Sequence, residues 1–469
     1  MIDVRPSAAL LQSRFLAIQA LGFAALTGFV FMVFSSGKGV LFLGAVAAAT
    51  GATLLFIKPH LGVLIILTAW FVEIPIVAKL ISAVLMLPLG VAILRDRNLW
   101  VLRVPQLNIL LVIGLLFLIS TLWNGLKHPI TLIPQLDQTR MDLQSFVTHL
   151  AFLIFFAYFV TTRQRIEWSA WLIIALIAVA TATAFFSVPK APRADRAVAA
   201  FSLAENPNRF AYICVFATSL LWFYRAHGRA GWLKTLVLPL LFCFPLVALT
   251  TGSRSGFLQL MILILLILKE QKGWSPGKRI GSLSFVASVG LVILLAVPVA
   301  QLTRVVTYDP DVAAPGRISL RERISHLNAA AELIASDPIF GVGIGNFLWM
   351  NQAFYGHDKE THNSYVWALA AGGIVALALY LLLFHATYRM LKQLEKTGPP
   401  ELLWLIKGLA ANLILFLVFS AFADFWLSDF LYIIVGLTIA MHYLDRRPHQ
   451  SARAMRLSPN SIPSPIPAQ

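Results

Sequence analysis

The chain has 469 residues, 59% of them hydrophobic and only 12% charged, and its mean hydropathy is +0.79. Soluble domains carry about 25% charged residues, so the composition excludes a soluble globular protein and gives an integral membrane protein. The net charge of +16 falls in short basic linkers without interleaved aromatics, which makes no case for nucleic acid.

In chain order, uncharged runs at Phe15 to Gly37, Val40 to Ile57, Val104 to Trp123, Trp168 to Pro189 and Ile280 to Thr303 approach or exceed the roughly 20 residues that a helix needs to cross hydrocarbon. Continuous apolar runs are wrong for the alternating strands of a β-barrel. The first run is longer than the apolar core of a signal peptide and is followed almost at once by another, so it reads as a retained first helix. Between Leu61 and Leu94, the residues Glu73, Pro75 and Lys79 interrupt the hydrophobicity, and two short helices or a re-entrant hairpin both fit. The expected fold is an all-α polytopic helical bundle of about 12 to 14 transmembrane helices. Cys214 and Cys243 lie inside apolar runs and read as small buried hydrophobes.

Basic residues recur in the linkers at every second crossing: Arg95, Arg97 and Arg103; Arg163 and Arg165; Arg225, Arg229 and Lys234; Lys269, Lys272, Lys278 and Arg279; Arg389, Lys392 and Lys396; then Arg446, Arg447, Arg453 and Arg456. Lysine and arginine accumulate in cytoplasmic loops, so these linkers and both termini are expected inside. Asn124 to Asp142, Val188 to Arg209, Thr250 to Arg254, Gln301 to His362 and a stretch near Asp424 are then expected on the outer face. The organisation read from this pattern is transmembrane helices with short loops over 1–300, a large periplasmic loop over 301–361, further transmembrane helices over 362–445, and a cytoplasmic disordered tail over 446–469. Within the large loop, "ISLRERISHLNAAAELIASDP" sets Ile318, Ile324, Leu327, Ala331 and Ile334 at mostly three- and four-residue spacing, which predicts an amphipathic helix ended by Asp337-Pro338. The "IFGVGIGNF" that follows has no strand–loop–helix unit around it, and reads as a tight turn on the membrane surface rather than a dinucleotide loop.

Charge at membrane depth costs about 2.5 to 3.5 kcal/mol and is commonly kept for function, so polar residues at the outer helix ends are the candidate site. In "TTGSRSGFLQL", Arg254 occupies a turn too short to leave the membrane surface. Its guanidinium can snorkel to headgroups, or fork onto a phosphate with help from Gly252, Ser253 and the amides of the helix that starts there. Arg196 precedes an "NPN" turn, Asn206 to Asn208, a pattern suited to a helix cap. Arg321 and Arg323 lie on the amphipathic helix. In "KETHNSYVWALAAGG", His362, Asn363, Ser364 and Tyr365 stand where a charged loop enters an apolar run. An imidazole close to arginines favours the neutral form that accepts a proton.

Together, "NPN" after an outer arginine, "TGSRSG", "RERISHLNAA" leading into "DPIFGVGIGNF", and "HNSY" at the head of the next helix resemble the O-antigen ligase and polymerase superfamily, over about Arg196 to Gly373. The resemblance implies a metal-independent glycosyltransferase of the bacterial inner membrane, needing no cofactor. It would move a glycan from undecaprenyl diphosphate to an acceptor hydroxyl, on lipid A core in a ligase or on another lipid-linked glycan in an O-antigen or exopolysaccharide polymerase. It would place Arg196, Arg254 and Arg321 on the diphosphate, with Arg254 and His362 as the catalytic pair. Asn206, Asn208, Asn363 and Tyr365 would shape the site. No carboxylate or histidine cluster has metal-ligand spacing, in keeping with that chemistry. The reading from another class is a solute transporter, which calls for paired polar residues at the middle of several helices; here they gather at one face.

Overall fold

A computed structural model describes residues 49–72, 74–95, 103–127, 132–186, 206–229, 231–271, 275–296, 315–344, 346, 350, 363–422 and 429–456. The described residues form helices: α1 Ala49–Ile57, α2 Pro59–Phe71, α3 Pro75–Arg95, α4 Pro105–Lys127, α5 Leu132–Phe159, α6 Arg163–Phe186, α7 Pro207–His227, α8 Gly231–Leu236, α9 Leu238–Thr250, α10 Arg254–Glu270, α11 Pro276–Ala296, α12 Pro315–Ser336, α13 Ser364–Thr397, α14 Leu403–Ser420 and α15 Asp429–Arg456. Proline opens α2, α3, α4, α7, α11 and α12; its fixed φ suits the first helical position and its missing N–H is not needed there.

The protein is an all-α polytopic membrane bundle. Among the described residues seven helices are long and apolar enough to cross a membrane, or up to eight if α1 and α2, bent by 115°, form one broken span. The apolar run at 15–37, and the first half of that at 40–57, lie outside the described residues. The ambiguous stretch between Leu61 and Leu94 resolves into a short α2 and a longer α3 that carries a full span, Ile76–Leu94. Proline at the start of α3 separates the two.

The centre of the bundle is α7, in which every residue from Phe210 to Tyr224 is buried. It is enclosed by α6, α9, α10 and α14. In lipid there is no hydrophobic gain from bringing helices together, so small residues and polar links do that work. On α14, a Cβ at Gly408 would lie 2.8 Å from Leu220. Asn412 Nδ2 donates to the Phe216 carbonyl at 3.2 Å, and Ser219 Oγ donates to the Gly408 carbonyl at 3.4 Å.

Hydrogen bonds and ion pairs divide the bundle into two ends. The N-termini of α7, α10 and α15 meet at one, called the motif end here because it carries the Asn-Pro-Asn and Thr-Gly-Ser-Arg turns. At the other, the far end, Glu270 of α10, Glu395 of α13 and Lys407 of α14 meet.

The amphipathic helix is present as α12, ending at Ser336 ahead of Asp337-Pro338. Its buried stripe differs from the expected one: His326, Ala329, Ala330 and Leu333 face inward, whereas Leu327 is 37% exposed. Its partner is α13, against which the paired alanines allow close approach with Leu333 packed beside them; Ile334 lies against the core, and the side chains of Ile318 and Ile324 lie outside the described residues. The "IFGVG" segment is a turn, and it docks into a break in α13. Gly372 and Gly373 leave helical geometry, with φ of −137° and 65°. The carbonyls of Ala370 and Ala371 accept from the Val342 and Gly343 amides at 2.8 and 2.9 Å, and the Ile374 amide donates to the Pro338 carbonyl at 2.9 Å. Broken helices are tolerated in membranes where other protein groups satisfy the freed backbone, and here the turn does so. At the other end of the chain, α15 continues to Arg456, past residue 446 where the tail was expected to begin. Arg446, Arg447, Ala452, Arg453 and Ala454 are good helix formers, and residues 457–469 lie outside the described ones.

Candidate functional site

The Arg254 turn is built entirely from local chemistry. Thr251 Oγ1 donates to the Ala248 carbonyl at 2.6 Å and accepts from the Ser253 amide at 3.2 Å. Gly252 takes φ of 63°, a left-handed conformation that costs glycine little. The chain therefore reverses between α9 and α10 within a tight loop. Ser253 then caps α10, its Oγ accepting from the Gly256 amide at 3.1 Å. Arg254 is the first residue of the helix and is exposed.

Asn-Pro-Asn folds by the same logic. Asn206 Oδ1 accepts from the amides of Asn208 and Arg209 at 2.9 and 3.4 Å, and Pro207 occupies the first helical position of α7. The two turns are joined: Ser253 Oγ donates to Asn208 Oδ1 at 2.7 Å. Just beneath, α10 lies close on α7, because a Cβ on Gly256 would come within 2.5 Å of Ala211 Cβ. The sequence-predicted residues Asn206, Asn208 and Arg254 thus share one seam.

Asn363 caps α13, accepting from the Tyr365 and Val366 amides at 3.0 and 3.1 Å. Tyr365 turns inward, donating through its hydroxyl to the Leu417 carbonyl of α14, with its ring 6.0 Å from that of Tyr380. It fixes the start of α13 to the end of α14. An aromatic layer underlies both regions: Tyr212 of α7 stacks on Phe419 at 4.7 Å and meets Phe416 edge-on at 5.7 Å. Tyr380 and Ser420 hydroxyls lie 3.3 Å apart in the same layer. Arg196 and His362 lie outside the described residues. Arg321 is placed on α12, while its side chain lies outside them.

Sequence reading missed a charged trio at this end. Asp429, the first residue of α15, receives His149 Nε2 on Oδ1 at 2.7 Å and the Arg209 guanidinium on Oδ2 at 3.5 Å. The signal was present: His149 stands in an apolar run, where a titratable residue invites suspicion, and Arg209 directly follows Asn-Pro-Asn.

No curated protein matches the chain. Residues 239–381 match the family model described as O-antigen ligase, a span of less than a third of the chain, which runs from α9 into α13. Arg254, the glycine turn and Asn363 all fall within it, and it is this segment that is similar to the O-antigen ligase family.

Proposed function

We propose that the protein is an O-antigen ligase-like enzyme that transfers a glycan from undecaprenyl diphosphate to a hydroxyl of the lipid A core oligosaccharide, with the motif end facing the periplasm. The coarser activity, a ligase- or polymerase-like membrane glycosyltransferase, follows from the family. The observation that supports the finer reading is the joined seam: an exposed arginine on the first turn of α10, tied through Ser253 to the Asn-Pro-Asn turn of α7.

In this reading Arg254, with Arg196 and Arg321, holds the donor diphosphate. Backbone amides at the start of α10 add positive potential. His362, immediately before the cap of α13, accepts the proton of the acceptor hydroxyl as its oxygen bonds to the anomeric carbon. The bond from that carbon to the phosphate oxygen breaks, and the electron pair leaves with the diphosphate. Arginines already in place stabilise the charge that develops there, so no step is routed through a metal. Attack opposite the leaving group inverts the sugar. Asn363 and Tyr365 serve by holding the helix that follows His362, and Asn206 and Asn208 by holding the turn that carries Arg254.

The test is reconstituted transfer in excess chelator, with an undecaprenyl diphosphate-linked glycan and either lipid A core or no added acceptor. Transfer to lipid A core is expected, reduced roughly 10²- to 10³-fold by Arg254→Ala and abolished by His362→Ala. Elongation of the lipid-linked glycan alone would replace this reading with a polymerase. A requirement for divalent metal would overturn the metal-free step, and absence of transfer from any donor would turn attention to solute flux.

A further inference from the structure

Pro59 divides α1 from α2, and the two helices bend by 115° at Lys58. Proline has no amide with which to continue α1, so α2 starts afresh, without a side-chain cap and with no acidic residue in its first turn. Such a start offers backbone amides and the positive end of the helix dipole to an anion. Lys58 stands at this start and is exposed, and His60 is the second residue of the helix. From here α2 runs to Trp70, whose ring lies 4.8 Å from that of His149 at the motif end. The start of α2 therefore lies at the far end.

Alongside α2 packs α6, which begins at the same end, where Arg163 meets Glu401. The Trp168 ring of α6 lies 6.4 Å from the His60 ring, and Arg165, three residues earlier, shares that face of the helix. Lys58 and Arg165 are both within electrostatic reach of the imidazole. Arg165 Nη1 donates to the Phe159 carbonyl at 2.9 Å, which fixes the guanidinium at the end of α5. Among the described residues no carboxylate meets Lys58, His60 or Arg165, and the nearby Glu167 is taken by Arg163 at 3.0 Å. An independent sign of a ligand is His60 itself, which is only 9% exposed and whose Nδ1 is buried without a hydrogen-bond partner. Native proteins rarely leave a buried ring nitrogen so. Trp168 is 46% exposed, as suits a tryptophan at the headgroup level of a bilayer.

We propose that the start of α2 and the adjoining face of α6 bind the phosphate of an anionic phospholipid headgroup. The Arg165 guanidinium forks onto the phosphate oxygens, Lys58 and the helix start add positive potential, and His60 Nδ1 donates to an oxygen drawn in between the helices. A lipid is favoured over a soluble phosphate because Trp168 and Ile57, large exposed apolar side chains, flank the same place. The site lies at the opposite end of the bundle from Arg254 and does not depend on the donor assignment above.

The experiment places the full chain in phosphatidylcholine nanodiscs with phosphatidylglycerol at rising mole fraction and follows the melting temperature. A ligand of the folded state raises that temperature, and the mole fraction at half the full rise measures affinity. The wild type is expected to be stabilised by phosphatidylglycerol. Arg165→Gln is expected to need about tenfold more of that lipid, and Lys58→Gln about fivefold more. Because Lys58 is exposed and makes no side-chain cap, its variant carries the test even where Arg165→Gln fails to fold. His60→Leu is expected to melt higher than the wild type in phosphatidylcholine alone, since an apolar group replaces an unpaired polar one, yet to lose part of the response to phosphatidylglycerol. Lys269→Gln removes an exposed charge at the same end, on α10, and is expected to respond as the wild type does.

A wild-type response in both Arg165→Gln and Lys58→Gln would overturn the proposal. An equal loss in Lys269→Gln would do so too, by showing attraction to the net charge of the protein rather than to this place. Equal stabilisation by inorganic phosphate in phosphatidylcholine alone would assign the site to a soluble anion and overturn the lipid.

Discussion

The two ends of the bundle are held by different chemistry. At the far end, side chains meet as ion pairs: Lys407 bridges Glu270 and Glu395, Lys392 reaches Glu395, and Glu401 receives Arg163 and Arg229. Apart from Lys392–Glu395, which lies within α13, these pairs join segments distant in sequence: Lys407 fastens α10, α13 and α14, and Glu401, just before α14, ties the start of α6 to the loop after α7. At the motif end the fastening is done largely by neutral groups. Asparagine and serine cap helices, hydroxyls reach carbonyls, and left-handed glycines let backbone touch backbone. The lesson is a division of labour. Where acids neutralise bases, charge serves stability; where caps and glycines hold the structure, the fold rests less on its charged side chains.

Gly373 is the sharpest place to break the motif end. Its φ is 65°, and a Cβ there would stand 2.0 Å from the Ile339 carbonyl oxygen, so alanine adds backbone strain to a collision. Gly373→Ala is expected to cost about 4 kcal/mol or more, the range reserved for strain at special backbone positions, with loss of the monodisperse species in size exclusion. Gly281 on α11 has nothing within 4 Å of an added Cβ. Gly281→Ala is expected to stabilise slightly, because alanine is the better helix former. A melting temperature for Gly373→Ala equal to wild type would show that the glycine turn does not carry the fold.

The matching break at the far end is Lys407→Met. The lysine side chain is 14% exposed and each glutamate 24%, so water screens the carboxylates left behind only in part. A loss of about 2 to 3 kcal/mol is expected, less than for a fully buried pair, seen as a lower melting temperature with donor affinity unchanged. Loss of donor affinity without loss of stability would erase the distinction between the ends.

What the sequence made legible at both ends was local. Asn206, Ser253 and Asn363 cap the helices they precede; the Asn-Pro-Asn cap was visible in the sequence because a cap acts over two or three residues. The all-α membrane class followed from hydropathy for the same reason, since each span carries its own signal. Partners far along the chain were not visible. The bond from Ser253 to Asn208, the clamp of His149 on Asp429 and the insertion of the glycine turn into α13 are choices of packing, and no periodicity encodes them. The stripe on α12 was legible only in part, since Leu327 and Ala331 turn outward whereas Ile334 packs on the core, and spacing does not say which apolar residues face protein. Alanines at 329 and 330 signal close helix contact only once α13 is known to lie there.

The smallest expected effects test the comparison most finely, because they come from single polar contacts of ordinary strength. Ser253→Ala removes both a helix cap and the bond to Asn208, which sums to about 1 to 2 kcal/mol of stability. Yet the rate of transfer should fall further than stability does, because the turn that aims Arg254 loses its tie to α7. Arg229→Ala at the far end removes a cation that is 62% exposed. Exposed pairs contribute little, so neither melting temperature nor transfer is expected to change measurably. The ratio of the two transfer rates is therefore the informative number. If Ser253→Ala and Arg229→Ala transfer equally well, the hydrogen-bonded seam is only a structural joint, and the arginine beside it needs no help in finding the donor.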